Sequence, residues 1–223
     1  MHQKKSKKIF IYIILFLIIG TFTHKDLENI NFNRQIKINI SGLDKENNFK
    51  LLDKLNFLKL SSLLFLNKHK IIEVMDSNDL IEKYSVFKKY PSTLKIKIDQ
   101  TKFLAQMQIN NNNFLLGSNG RFIKTNTLKE DLPFIFGNFN KEKFFQLKKA
   151  IDETDFDYNN VKNLFFFKSG RWDIETNNGL LIKLPEKEIK NSLVLFLNFY
   201  AKKRDKKIYK IDLRQPNQII TNE

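Results

Sequence analysis

The sequence predicts an α+β fold behind a single N-terminal transmembrane helix, and three observations carry that prediction. An uncharged run, Ile9 to Thr23, follows a cluster of lysines. Between Ile36 and Ile98 the apolar pattern passes from period two to helical spacing and back, in the order strand, helix, helix, strand, strand. After Lys102 short apolar stretches alternate with turn residues, a mostly antiparallel β-domain that closes with a C-terminal helix and an edge strand.

The first element is the uncharged run. As a helix at ~1.5 Å per residue it is about 22 Å long, short of the ~30 Å hydrocarbon core. Flanking lysines can snorkel and recover part of the difference. Lys4, Lys5, Lys7 and Lys8 lie before the run, so the positive-inside rule makes residues 1–8 a cytoplasmic tail, 9–23 the anchor and 24–34 a stalk outside. A cleaved signal peptide is the rival reading, but Gly20-Thr21-Phe22-Thr23 offers no Ala-x-Ala site.

Residues 35–101 form the next unit. Ile36, Ile38 and Ile40 alternate with polar residues as a strand does, and Ser41-Gly42 ends it. Asn48 is placed to cap a helix with Phe49, Leu52, Leu55 and Leu58 near one face, and Asn67 a second with Ile71, Ile72 and Met75 inward. Ile81, Tyr84 and Val86 line one strand; Leu94, Ile96 and Ile98 line another, joined by the turn Tyr90-Pro91-Ser92-Thr93. Two helices on one face of a three-stranded sheet satisfy this order.

Residues 102–223 form the β-domain. Phe114-Leu115-Leu116 and Arg121-Phe122-Ile123 flank Ser118-Asn119-Gly120 as a hairpin, and Leu164 to Phe167 reads as an apolar strand. Trp172 to Glu175 and Leu180 to Ile182 flank Asn177-Asn178-Gly179, with glycine where a positive φ is needed. A helix from about Glu188 to Lys203 turns Leu193, Phe196, Leu197 and Tyr200 to one side, and a last strand pair begins at Ile208.

Chemistry is sparse. There is no cysteine, hence no disulfide, thiolate nucleophile or Cys-based zinc site. His2, His24 and His69 are scattered, so no metal site is expected. No phosphate-binding glycine loop or nucleophile elbow occurs, and the acidic run Asp152, Glu153, Asp155 and Asp157 lacks the glycine and terminal glutamate of a calcium loop. Ser85-Val86-Phe87-Lys88 and Ser92-Thr93-Leu94-Lys95 match Ser-x-x-Lys, but both fall in or beside strands, where positions three apart point to opposite faces. The net charge of +15 is spread along the chain rather than gathered in a stripe. Solvated lysine faces explain it better than nucleic-acid binding, with anionic headgroups beside the anchor as a further source of attraction.

The ordered pattern resembles the FtsQ/DivIB family of bacterial cell-division proteins, and three stretches carry the resemblance. Ile38-x-Ile40-x-Gly42 with its two following helices looks like the start of the family's POTRA domain. Ile81-x-x-Tyr84-x-Val86-x-Lys88-x-x-Pro91-x-Thr93-Leu94-x-Ile96-x-Ile98-Asp99 looks like its strand pair. Asn119-Gly120-Arg121-Phe122, Leu132-Pro133, Gly137, Trp172, Gly179, Leu184 and finally Ile211-Asp212-Leu213-Arg214 follow its β-domain. The family's Glu-Arg-x-Pro is Asp99-Gln100-Thr101-Lys102 here, and Gln215-Pro216-Asn217-Gln218 replaces an aromatic and a glycine turn.

The resemblance implies a non-catalytic divisome scaffold without cofactors, small-molecule substrate or nucleic acid. It would sit in the inner membrane with its bulk in the periplasm, concentrated at the septum. Its expected partners are FtsB and FtsL, with other divisome proteins, bound by strand addition at the C-terminal edge and coupled to septal peptidoglycan synthesis. The partner-binding residues expected on this reading are Arg214, Gln215, Gln218, Ile219, Ile220 and Tyr200. Asp212 and Arg214 can equally satisfy each other, and Ile219 and Ile220 can serve as core and edge of a last strand. The alternative function is an envelope assembly factor that uses its POTRA unit to bind other envelope polypeptides; an enzyme of wall synthesis ranks third, lacking every catalytic motif.

Overall fold

The computed structural model describes residues 3–20, 35–61, 63–202 and 208–222. Helix α1 spans Gln3–Gly20. Its lysines leave only Ile9 to Gly20 uncharged, about 18 Å of helix. No described helix is long and apolar enough to cross a membrane. Residues 21–23 of the expected anchor and the whole 24–34 stalk lie outside the described residues. The remainder divides into two compact units at Gln100/Thr101.

In the first unit the elements are β1 (Lys37–Ser41), α2 (Lys45–Lys54), a 3-10 turn (Asn56–Leu60), α3 (Lys68–Asp76), β2 (Ile81–Lys89) and β3 (Thr93–Gln100). The sheet order is β1-β3-β2, with β1 parallel and β2 antiparallel to the central β3. The period-two isoleucines do what alternation requires: Leu94, Ile96 and Ile98 of β3 are buried, and Ile36 and Ile38 join them. Leu51, Leu55, Leu58, Ile71 and Met75 close the core from the helix side.

Several details differ from the sequence expectation. The α2 cap is Asp44, whose carboxylate accepts from Asn47 N at 2.9 Å. Asn48 is inside the helix, its Nδ2 donating to Leu43 O at 2.7 Å. The buried side of α2 is centred on Leu51, and Phe49, about 200° away around the helix, is exposed. Asn67 does cap α3, but Ile72 is exposed beside buried Ile71. Val86 is also exposed, on edge strand β2, where it lines an open groove with Ile71 and Ile72 of α3.

Gly42 holds φ +120°, and an added Cβ would lie 1.8 Å from Ile98 O, a backbone atom that cannot swing away. Gly42→Ala is therefore expected to destabilise this unit by about 3 kcal/mol, read as a lowered denaturant midpoint with unchanged slope.

The second unit contains β4 (Phe103–Ile109), β5 (Asn112–Gly117), β6 (Phe122–Thr125), β7 (Phe134–Phe136), α4 (Lys141–Asp152), β8 (Val161–Phe166), β9 (Trp172–Thr176), β10 (Leu181–Lys183), α5 (Ile189–Lys202), β11 (Lys210–Asp212) and β12 (Ile220–Asn222). Among the described residues these strands form one nine-stranded sheet in the order β12-β11-β10-β9-β8-β7-β4-β5-β6. The sheet is mixed and mostly antiparallel, as expected: β10–β9, β11–β12, β4–β5, β5–β6 and β8–β9 are antiparallel, while β4–β7, β7–β8 and β10–β11 are parallel. The reason is topological, since helical connections such as α5 return the chain in the direction it left, whereas tight turns reverse it.

Helices α4 and α5 cover one face. Met107, Ile135, Leu164, Ile174, Ile182 and Ile211 point into that layer and meet Phe144, Leu147, Ile151, Leu193 and Phe196. Trp172 sits at its centre, fully buried, with Phe166, Phe139 and Phe144 rings at 4.8, 5.6 and 6.4 Å. The intervening strand residues, including Asp173, Lys183, Asp212 and Ile220, take the opposite face.

Candidate partner-binding edge

The C-terminal edge is built by a crossover from β10 through α5 to β11. Leu213 N donates to Lys183 O at 2.9 Å, and Leu181 N to Tyr209 O at 2.9 Å, which fixes β11 against β10. Ile211 and Leu213 are then buried beneath α5, and Asp212 between them faces the other way.

Asp212 is buried but not unpaired. Its carboxylate accepts from Arg214 N at 3.1 Å and Nε at 2.8 Å, with Nη2 completing a bidentate clamp. The hydrogen-bonded guanidinium holds the Asp212 carboxyl below its usual range, opposed by burial. Arg214 is held above its own by the same contact. The mutual satisfaction anticipated for this pair is present, and the Arg214 side chain stays 42% exposed above it.

The chain next turns through Gln215-Pro216-Asn217-Gln218, closed by Gln218 N donating to Gln215 O at 3.3 Å. Asn217 takes φ +56°, the left-handed conformation that asparagine tolerates better than other non-glycine residues. The absent glycine of this turn is thus replaced in kind. Strand β12 then returns antiparallel to β11, pairing Asp212 with Ile220, Ile211 with Thr221 and Lys210 with Asn222. Ile219 packs on the core while Ile220 is 54% exposed. Among the described strands none pairs with the outer side of β12.

The structure therefore brings five of the six sequence-selected residues into one segment. Arg214 and Gln215 line a groove of about 260 Å³ with Leu213, Pro216 and the N-terminal half of α5. Gln218, Ile219 and Ile220 form the turn exit and the edge strand. Tyr200 is separate: it stacks on Phe196 at 5.3 Å on the core side of α5 and is not among the residues of that groove.

Sequence reasoning missed what stands beside Ile220. Register aligns Asp173, Lys183, Asp212 and Ile220 across β9 to β12, a row of alternating charge that ends in the exposed isoleucine. Burial pushes the Asp173 carboxyl up, against the pull of Arg171 and Lys183. Only pairing across strands distant in sequence creates this row, so no local signal announces it.

The two carboxyls have opposite linkage. Asp212, depressed in the folded state, contributes stability that is present above its unfolded pKa and is lost as pH falls through the folded value. Asp173, raised, runs the other way over the same acid region. Asp212→Asn should thus cost about 1–2 kcal/mol at pH 7, and its difference from wild type should shrink below about pH 4. Urea midpoints at pH 7 and pH 3 check this.

Two family models match in chain order. The model described as POTRA domain, FtsQ-type, matches residues 34–99, and that described as cell division protein FtsQ/DivIB, C-terminal, matches residues 105–214. The turn and β12 lie just past the second match. Cell division protein FtsQ of Rickettsia bellii is 28% identical over 80% of this chain and 68% of its own length. That of Rickettsia prowazekii is 27% identical over 80% and 68%. That of Bradyrhizobium diazoefficiens is 25% identical over 72% of this chain, which spans about half of that protein, 48%. The solved major extracytoplasmic domain of the trans isomer of the cell division protein DivIB from Geobacillus stearothermophilus aligns over 48% of this chain and 98% of its own, at 16% identity and TM-score 0.36. With an FtsQ-type POTRA domain followed by the FtsQ/DivIB C-terminal domain, the chain belongs to the FtsQ/DivIB family of cell-division proteins.

Proposed function

We propose that this chain is a non-catalytic divisome scaffold, anchored in the inner membrane by its N-terminal helix, that binds partners of the FtsB and FtsL type by accepting a strand on β12. The observation that carries the reading is the position of β12. It is the last strand of the sheet, it has β11 on one side only, and it presents exposed Ile220 beside the Arg214–Asp212 clamp. An edge strand of this kind carries unpaired N–H and C=O groups, which a partner strand satisfies. Backbone pairing needs no particular side chain, so the replacements at Gln215 to Gln218 are compatible with it. The partner's attachment to this edge couples the scaffold to septal peptidoglycan synthesis.

Anchoring follows the family's septal role and the apolar Ile9-to-Ile18 face of α1, whose side chains are all exposed. The first 8 residues then lie in the cytoplasm and the two folded units in the periplasm, concentrated at the septum.

The test is replacement in dividing cells. The cut has to spare β11, because Ile211 and Leu213 are core residues; ending the chain at Gln218 removes β12 with half-buried Ile219 and leaves β11 in place. Cells relying on that chain should grow as filaments without constrictions. Normal septation in them would refute the reading.

A second reading, an envelope assembly factor that binds polypeptides through its POTRA unit, draws on a groove of about 340 Å³ along β2, lined by Leu66, Ile71, Ile72, Tyr84, Val86 and Leu94. Ile72→Asp blocks that groove and leaves β12 intact. On the divisome reading it leaves strand capture unchanged.

A further inference from the structure

The connection between α2 and α3 exposes apolar side chains that the first unit's core does not use. In the 3-10 turn Asn56–Leu60 positions three apart eclipse, so Phe57 and Leu60 share a face and Leu58 points inward. Phe57, Leu60, Leu64 and Phe65 are 38, 89, 49 and 85% exposed, while the interleaved Leu58, Leu63 and Leu66 are buried. Three leucines thus pin the connection to the core and hold the other four side chains outward.

Charge within the connection itself has one sign. Lys59, Lys68 and Lys70 are exposed, and no Asp or Glu occurs between Asp53 and Glu73. Lys70 Nζ lies 5.8 Å from the centre of the Phe57 ring, so cation and apolar face are adjacent. Apolar tips rimmed by lysine match an anionic bilayer surface: the rings and leucines enter the headgroup–acyl boundary and the ammonium groups meet phosphates. Such a surface is also within reach. The 14 residues from 21 to 34 separate this unit from the apolar helix and span at most about 50 Å.

We propose that Phe57, Leu60, Leu64 and Phe65, with Lys59, Lys68 and Lys70, dock the first unit on anionic phospholipid. This goes beyond strand capture at β12, and it rests in part on the anchored reading. Docking would hold the POTRA unit against the membrane rather than free on its tether.

The absence of cysteine makes a clean test. Phe65→Cys in the full chain is labelled with an environment-sensitive fluorophore and reconstituted in phosphatidylethanolamine–phosphatidylglycerol vesicles; Lys124→Cys, on the second unit, is the control. The label at 65 should shift to the blue and be quenched by brominated lipid several-fold more than the label at 124. Phosphatidylcholine vesicles or high salt should weaken the effect, and each Lys→Gln exchange at 59, 68 or 70 should lower the docked-to-free ratio roughly fivefold. A label at 65 as wet as the control in anionic vesicles would overturn the proposal. Protection seen only in native membranes and lost when other proteins are digested would assign the tip to a protein partner, and would overturn it too. Alkaline extraction reads the anchor separately: an extractable chain whose label is still quenched by lipid overturns the anchor and leaves the docking tip standing.

Discussion

A chain ended at Gln218 is expected to remain folded and to lose all measurable capture of an FtsB-type partner. Removing residues 219–223 takes away β12 and one half-buried side chain, Ile219, but leaves Ile211, Leu213 and the Asp212–Arg214 clamp in place. The stability loss should stay near 1–2 kcal/mol, while a strand-addition interface loses its whole backbone ladder. Proline substitution separates edge from fold more finely. Successive N–H groups in a strand point to opposite sides, so of Ile220→Pro and Thr221→Pro one removes a donor to β11 and the other a donor to the partner. One variant should therefore lose stability and the other should lose binding with little change in melting temperature. Equal behaviour of the two, with binding kept, would count against strand addition.

The second large effect is at Trp172. The ring is fully buried at the meeting of β9, α4 and the Phe139 and Phe166 rings, so Trp172→Ala opens a cavity that the neighbouring aromatics cannot collapse into. A loss of about 3–5 kcal/mol is expected, a large share of the 5–15 kcal/mol that a domain of this kind has in total. Trp172→Phe is the informative companion. The indole Nε1 is buried without a hydrogen-bond partner, so removing it takes away a desolvated donor together with volume, and the two terms oppose. The Phe variant should fall well short of the Ala variant in destabilisation. Thermal unfolding followed by aromatic circular dichroism measures both.

Much of the first unit was legible because its signals are local. Leu94, Ile96 and Ile98 alternate in a central strand, and a central strand has no choice of face. Asn67 caps α3 as its position before an amphipathic run suggests. Asn48 misled because Asp44 offers the same chemistry one turn earlier, and a carboxylate there also has the helix dipole in its favour.

In the second unit the turns were readable and the sheet order was not. Asn177-Asn178-Gly179 marks the β9–β10 hairpin, with Gly179 at φ +83°. Strands β4 and β7 and helix α4 have no counterpart among the elements expected from the sequence. Strand β7 is three residues long, has Pro133 before it and meets β4 at a single residue pair, Gln106 with Phe134, so it carries almost no periodic signal. Helix α4 did carry one, Phe144, Leu147 and Ile151 at helical spacing, obscured by the lysines between them. At the site, the local part was foreseeable: Asp212-Leu213-Arg214 and the two isoleucines after it. The charged row through Asp173 and Lys183 and the groove against α5 arise from pairing across residues 173 to 220, and no local pattern reports that.

The claim at the centre is that β12 is the working edge. The most direct measurement places a photo-crosslinking amino acid at residue 220 in dividing cells, with a second chain carrying it at residue 87 of the POTRA sheet as comparison; both native side chains are exposed. Residues 220 and 222 are each expected to crosslink to a small coiled-coil protein of the FtsB type, and the product from 222 should disappear when Thr221→Pro or Ile220→Pro, whichever faces the edge, is introduced. Crosslinking to that partner from residue 87 and none from 220 would contradict the claim.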